Sequence, residues 1–245
     1  METARRAAYL VDDSFPEKDR VRLYIWEWPV RITHWVIFLS IVVLTVTGYY
    51  IYAPFLTSKA NHQFVTATMR FIHEVAGFVF IAALFVRMYW FFAGNKWARW
   101  PQFLPLGRRR WDDFKAQLAY YMFLRRDPPF SVGHNPLAGL TYIVVFFIMF
   151  VEVLTGLALF QHVLPNKTVG YFINWLPRLI SWRYLREIHF FIMLALWAFF
   201  IHHVYSAILI GMEERSGLIR SIFTGYKFFS GKKLNDDAHR ERKAA

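Results

Sequence analysis

Long apolar runs alternate with polar, basic segments along the 245 residues of the chain. Four runs stand out, roughly Trp35–Ala53, Phe71–Phe92, Gly139–Phe160 and Ile188–Gly211. Each approaches the ~20 residues a helix needs to cross a hydrocarbon core of about 30 Å. Backbone polar groups in lipid must be satisfied within the segment, so the pattern predicts four spanning helices in a bundle of alternating direction. A shorter pattern places Trp111, Phe114, Leu118, Tyr121 and Met122 at helical spacing, with Asp112, Asp113, Lys115 and Gln117 between them. That predicts an amphipathic helix lying on the membrane interface. The expected fold class is all-α: an integral membrane four-helix bundle with an interfacial helix.

Composition and charge refine this picture. Hydrophobic residues make up 56% of the chain, aromatic residues 20% and charged residues only 19%, a balance suited to lipid as solvent. The net charge of +12 would suit nucleic acid on a polar chain. Here the basic residues sit between long apolar runs, so a membrane sorting signal is the better explanation. Arg5, Arg6, Lys18, Arg20, Arg22 and Arg31 precede the first span. Lys96, Arg99, Arg108, Arg109, Arg110, Lys115, Arg125 and Arg126 lie between spans two and three. Arg215, Arg220, Lys227, Lys232, Lys233, Arg240, Arg242 and Lys243 follow span four. The other two connections hold fewer, Lys59 and Arg70, then Lys167, Arg178, Arg183 and Arg186. Positive charge stays on the cytoplasmic side, so both termini are expected there. The first span follows 34 mostly polar residues and is longer than a signal-peptide core, so it reads as a retained anchor. There is no cysteine, which excludes iron–sulfur clusters, thiolate zinc sites and covalently attached c-type haem on this chain.

Ionisable residues inside a membrane are functional by default. His34 lies at the mouth of span one and His73 at the start of span two, while span four carries His189, His202 and His203. Chain direction sets their depths. His34 enters from the cytoplasm, and His73 and His189 enter from outside. His203 follows His189 by fourteen residues, about 21 Å deeper. His73 and His189 therefore share an outer level, and His34 and His203 an inner one. Each level holds one histidine from each of two helices, the arrangement that axial ligation of a b-type haem requires. Fourteen steps of ~100° bring His203 within about 40° of His189 around the helix, whereas His202 lies about 140° away, so His203 is the expected ligand. Arg31, Arg70 and Arg186 each precede a histidine by three residues, one turn outward on a helix, where a guanidinium suits a haem propionate. Arg87, at the inner end of span two, is a weaker candidate for the same role.

The resulting domain reading is a cytoplasmic segment over 1–33, a haem-binding domain over 34–212 and a basic cytoplasmic tail over 213–245. Glu152 in span three is read as a proton acceptor, a hydrogen-bond partner of a ligand histidine, or a residue facing a polar pocket. His134, in Gly133-His134-Asn135-Pro136, is read as a quinone contact or a helix cap. The aromatic connection from Val163 to Arg186 reads first as an interfacial belt and second as a docking surface.

With those residues in view, the chain resembles the b-type cytochrome subunit of membrane-bound nickel–iron uptake hydrogenases. The pieces carrying the resemblance are Pro29-Val30-Arg31-Ile32-Thr33-His34-Trp35, Thr47-Gly48-Tyr49, Arg70-Phe71-Ile72-His73, Arg87-Met88-Tyr89-Trp90 and Gly94-Asn95. Further along come Gly133-His134-Asn135-Pro136-Leu137-Ala138, Thr155-Gly156-Leu157-Ala158-Leu159, the His189/His203 spacing, His203-Val204-Tyr205 and Gly225-Tyr226-Lys227. The resemblance implies a bacterial inner-membrane anchor for the small and large subunits of a periplasmic nickel–iron hydrogenase. It implies two haems b, electrons arriving from iron–sulfur clusters of the small subunit, and delivery to menaquinone or ubiquinone. It also implies that hydrogen itself is split elsewhere. The alternatives are a cytochrome b subunit of another exported dehydrogenase or reductase, of formate or thiosulfate type, and a non-haem transporter or anchor. A transporter would gather its histidines and carboxylates near the midplane, whereas these divide between two levels.

Overall fold

In the computed structural model the described residues are 19–55 and 62–244. Arg5, Arg6, Lys18 and Lys59, which entered the charge count, lie outside them. Among the described residues, four helices are long and apolar enough to cross a membrane: α1 (Trp28–Tyr52), α2 (His62–Ala93), α4 (Pro136–Val163) and α7 (Trp182–Glu214). They match the four apolar runs and extend past most of their ends. Side chains such as Leu39, Val46, Phe85, Phe147, Phe191 and Ile201 are exposed on their surfaces, as lipid contact demands. The helix expected at 111–122 is α3 (Gly107–Tyr121), followed later by short helices α5 (Lys167–Ile173) and α6 (Leu176–Leu179). After α7 come α8 (Leu218–Thr224) and α9 (Gly231–Ala244).

The all-helical expectation needs one correction. Strand β1 (Arg20–Tyr24) pairs antiparallel with β2 (Tyr226–Ser230), Arg20 opposite Ser230 and Tyr24 opposite Tyr226. β2 alternates in side-chain burial over its first four residues, and Arg22 lies over the Tyr226 ring at 3.6 Å. Some two hundred residues separate the partners, so neither segment announces the other.

The residues form two compact units. One comprises the described residues up to Arg31, Tyr89–Val144 and the chain from Ile201 onward. Its core is Ile25, Trp26, Val30, Ala98, Val132 and Phe229. Polar contacts lock this unit. Glu27 Oε2 accepts from Trp90 Nε1 at 2.8 Å and from the Asn95 amide at 2.7 Å, while Asn95 Nδ2 donates to the Ile25 carbonyl at 3.0 Å. Trp26 Nε1 donates to Ser221 Oγ at 2.9 Å, and Arg31 donates to the Phe223 carbonyl. Lys227 is 1% exposed and donates to Glu214 Oε2 and to the Val132 carbonyl, each at 3.3 Å. On α3, Arg109 pairs with Asp113 and with Asp237 of α9, and burial holds the Asp113 carboxyl above its ordinary pKa against the pull of Arg109.

The second unit comprises Ile32–Met88 and Val145–Phe200. Its centre is Ile37, Phe80, Ala83, Leu84, Val145, Met149 and Leu196. A second cluster of Ala158, Ile173, Leu176 and Leu185 seats α5 and α6. Asn166 caps α5, accepting from the amides of Thr168 and Val169 at 2.9 and 3.1 Å. Trp197 Nε1 ties α7 to α1 through Thr45 Oγ1 at 2.8 Å.

Candidate haem site

His73 of α2 and His189 of α7 face each other within the second unit, ring centres 6.4 Å apart and ring planes at 70°. Neither ring is held by chance. His73 Nδ1 lies 2.9 Å from Thr47 Oγ1 on α1, and His189 Nδ1 lies 3.0 Å from Thr155 Oγ1 on α4. Each threonine hydroxyl already donates to its own helix: Thr47 to the Val43 carbonyl at 2.7 Å, Thr155 to the Val151 and Glu152 carbonyls at 3.0 Å. A hydroxyl has one proton, so each threonine accepts from the ring nitrogen. The Leu44 carbonyl, which can only accept, also faces His73. Both imidazoles are thereby fixed with hydrogen on Nδ1, leaving Nε2 with a bare lone pair. That is the tautomer a metal ligand needs.

The residue after each threonine completes the cradle. A Cβ on Gly48 would stand 3.0 Å from His73 Cε1, and one on Gly156 would stand 3.2 Å from His189 Cε1. Glycine lets each helix backbone approach the edge of its partner's ring. Span one thus supports the histidine of span two, and span three that of span four, through the same Thr-Gly pair.

The spacing fits a bound haem. Were His73 and His189 to share one iron through Nε2, metal–nitrogen bonds of ~2.0 Å would put the ring centres about 6.2 Å apart. The observed 6.4 Å matches this separation. Glu152, one turn before Thr155 on α4, places Oε2 3.2 Å from His189 Nδ1, so that nitrogen has a carboxyl group as well as a hydroxyl at hand.

The other expected residues fall as follows. His203, in the first unit, is half-buried, with Nδ1 3.3 Å from the Tyr142 hydroxyl, while His202 beside it is exposed. His34, in the second unit, is half-buried and edge-on to Trp35 with ring centres 5.1 Å apart. Arg31 is buried, with its guanidinium 4.0 Å from the Trp28 ring centre and bonded to the Phe223 carbonyl. Arg70 and Arg186 are exposed. Arg87 is buried beside the Phe146 ring. His134 packs among Trp26, Phe103 and Tyr142 at 4.7, 4.9 and 5.0 Å. The cap of α4 is its neighbour Asn135, whose Oδ1 accepts from the Ala138 amide at 2.7 Å.

A family model described as prokaryotic cytochrome b561 matches residues 25–225. The chain belongs to the prokaryotic cytochrome b561 family. Relatives named "Probable Ni/Fe-hydrogenase B-type cytochrome subunit" include one from Rhodobacter capsulatus, 32% identical over 88% of this chain and 85% of its own length. Another, from Azotobacter vinelandii, is 33% identical over 86% and 91%. A third from Escherichia coli K12, named "Probable Ni/Fe-hydrogenase 1 B-type cytochrome subunit", is 32% identical over 83% and 90%. These bear out the resemblance read in the sequence. This cytochrome b561 is accordingly an integral-membrane electron carrier whose cofactor is haem b.

Within this b561 chain, the motifs that carried the resemblance divide by role. Thr47-Gly48 and Thr155-Gly156 serve the His73/His189 cradle. Gly94-Asn95, Asn135-Pro136 and Gly225-Tyr226-Lys227 build the first unit instead. The two threonines escaped the sequence reading as site residues. Their signal was available: a Thr-Gly pair inside span one and another inside span three, at the level of His73 and His189.

Proposed function

We propose that this cytochrome b561 is the di-haem membrane anchor of a periplasmic nickel–iron hydrogenase, passing electrons from iron–sulfur clusters of the small subunit to menaquinone or ubiquinone. His73 and His189 hold one haem b toward the outer face, and His34 and His203 hold a second toward the inner face. When bound, haem supplies reversible one-electron chemistry at potentials set by its ligands and their hydrogen bonds. The observation that carries the reading is the His73/His189 pair, with both Nδ1 atoms occupied and ring centres 6.4 Å apart. The half-buried His203 beside exposed His202 supports the choice of inner ligand. The names of the relatives favour a hydrogenase partner over a formate or thiosulfate system.

The chain's own residues do the rest. The threonines orient the ligand rings, and the apolar helix surfaces keep the site in low dielectric. Arg70 and Arg186, exposed one turn before their histidines, are positioned to meet propionates. Arg31 takes the same role at the inner site, sharing its guanidinium with the Phe223 carbonyl. Both termini lie in the cytoplasm by the distribution of Lys and Arg, and α3 rests on the inner interface of the bacterial cytoplasmic membrane. In this reading 1–33 and 213–245 are cytoplasmic and 34–212 bind haem.

The test is a haem count, by pyridine haemochrome, on wild type and four alanine variants. His73→Ala and His189→Ala are expected to remove the same haem, and His34→Ala and His203→Ala the other. Full haem content in His189→Ala would refute the site, and loss of the inner haem in His202→Ala but not His203→Ala would refute the inner assignment.

A further inference from the structure

The two halves of the His73/His189 cradle share the threonine, the glycine after it and the valine four residues before it, but differ in the residue three before the threonine. Each threonine bonds the carbonyl three residues before it: Thr47 that of Leu44 at 3.3 Å, Thr155 that of Glu152 at 3.0 Å. Each is followed by the glycine that admits its histidine. Leu44 and Glu152 therefore occupy equivalent positions on α1 and α4. On the His73 side that position offers only an apolar side chain and its backbone carbonyl. On the His189 side it offers a carboxyl group whose Oε2 is buried, lies 3.2 Å from Nδ1 and has no other hydrogen-bond partner among the described residues. Leucine in a membrane helix costs nothing, whereas a carboxyl there is expensive and is kept where it serves something.

We propose that Glu152 is a positioning residue that sets the reduction potential of the haem held by His73 and His189, through the Nδ1–H it shares with Thr155. This rests on the haem reading above. A carboxylate on Nδ1–H makes the imidazole a stronger electron donor to the iron. It also lies near a centre that is cationic when ferric and neutral when ferrous. Both effects favour the ferric state: the ferric haem takes one electron, no bond breaks, and the carboxylate loses its counter-charge. Glu152 thereby lowers the midpoint potential of that haem and leaves the haem of His34 and His203 unaffected.

The test is a dithionite–ferricyanide potentiometric titration, followed at the b-type α-band, of the full chain in its native membranes. Wild type, Glu152→Gln, Glu152→Leu and His189→Ala are compared. The component missing from His189→Ala identifies the haem concerned. Glu152→Gln keeps the shape of the side chain, and Glu152→Leu reproduces the Leu44 side of the cradle. Both are expected to retain two haems and to raise the midpoint of that component by at least a tenfold change in ferric-to-ferrous ratio, 59 mV for one electron. Glu152→Asp, which keeps the charge, is expected to restore most of the shift. An altered low-spin ferric electron-resonance signal should accompany the Gln variant. Midpoints unchanged in Glu152→Gln, or a shift confined to the other component, overturn the inference while leaving the haem site standing. Full haem content in His189→Ala removes the site and the inference together.

Discussion

Adding one methyl group at Gly48 or Gly156 probes the cradle most directly. Ordinary carbon–carbon contact lies near 3.5–4.0 Å, so the 3.0 Å approach at Gly48 is short by about 0.5–1.0 Å. The 3.2 Å approach at Gly156 is short by about 0.3–0.8 Å. Neither ring can swing freely, because the threonine next to each glycine holds the Nδ1 edge of the same imidazole. The alanine must displace either a helix or a ligand that works at a bond length of ~2.0 Å. Overpacking of this kind costs roughly 1–3 kcal/mol, which is about five- to 150-fold in an equilibrium constant. Gly48→Ala should therefore lose haem more readily than Gly156→Ala, and each variant should lose the same single haem as His73→Ala. The assay is haem per polypeptide after size exclusion, with reduced-minus-oxidised spectra and circular dichroism to show that the helices persist. Full retention in Gly48→Ala, or greater loss in Gly156→Ala than in Gly48→Ala, would refute the close-approach argument.

Two further substitutions separate site from scaffold. Thr47→Val removes the hydroxyl that accepts from His73 Nδ1 and should weaken haem retention by roughly 1–2 kcal/mol, with Thr47→Ser largely intact, read by haem release to apomyoglobin. Lys227→Ala strips a buried partner from Glu214 and should lower unfolding stability by roughly 3–5 kcal/mol in a thermal melt, while the haem of His73 and His189 keeps its α-band until the protein unfolds.

The spans were legible because lipid imposes a long, continuous apolar pattern that no other element mimics. Their ends were not, since Trp28 and Trp182 begin helices well before hydropathy turns apolar. The bringing together of His73 and His189 followed from chain direction and helical rise alone. Thr47 and Thr155 were missed because a threonine inside a span reads as a back-bonding residue until its ring partner is known. Glu152 was seen but left with three roles, and only the 3.2 Å approach to His189 distinguishes among them. The ribbon of β1 and β2 stayed hidden for another reason. Arg20-Val21-Arg22-Leu23-Tyr24 alternates as a strand should, yet five residues carry no information on a partner two hundred positions away. The capping half of the His134 reading fell one residue short, because Asn135 supplies the cap while the His134 imidazole packs in an aromatic cluster.

That ribbon also fixes an order of events at the ribosome. β1 is synthesised before the four membrane helices and β2 after them, so the pair cannot zip until all four have been synthesised. A nascent chain stalled at any earlier point carries β1 as a bare edge, open to pairing with the wrong neighbour. Closure of two short strands therefore reports that all four spans have already been made.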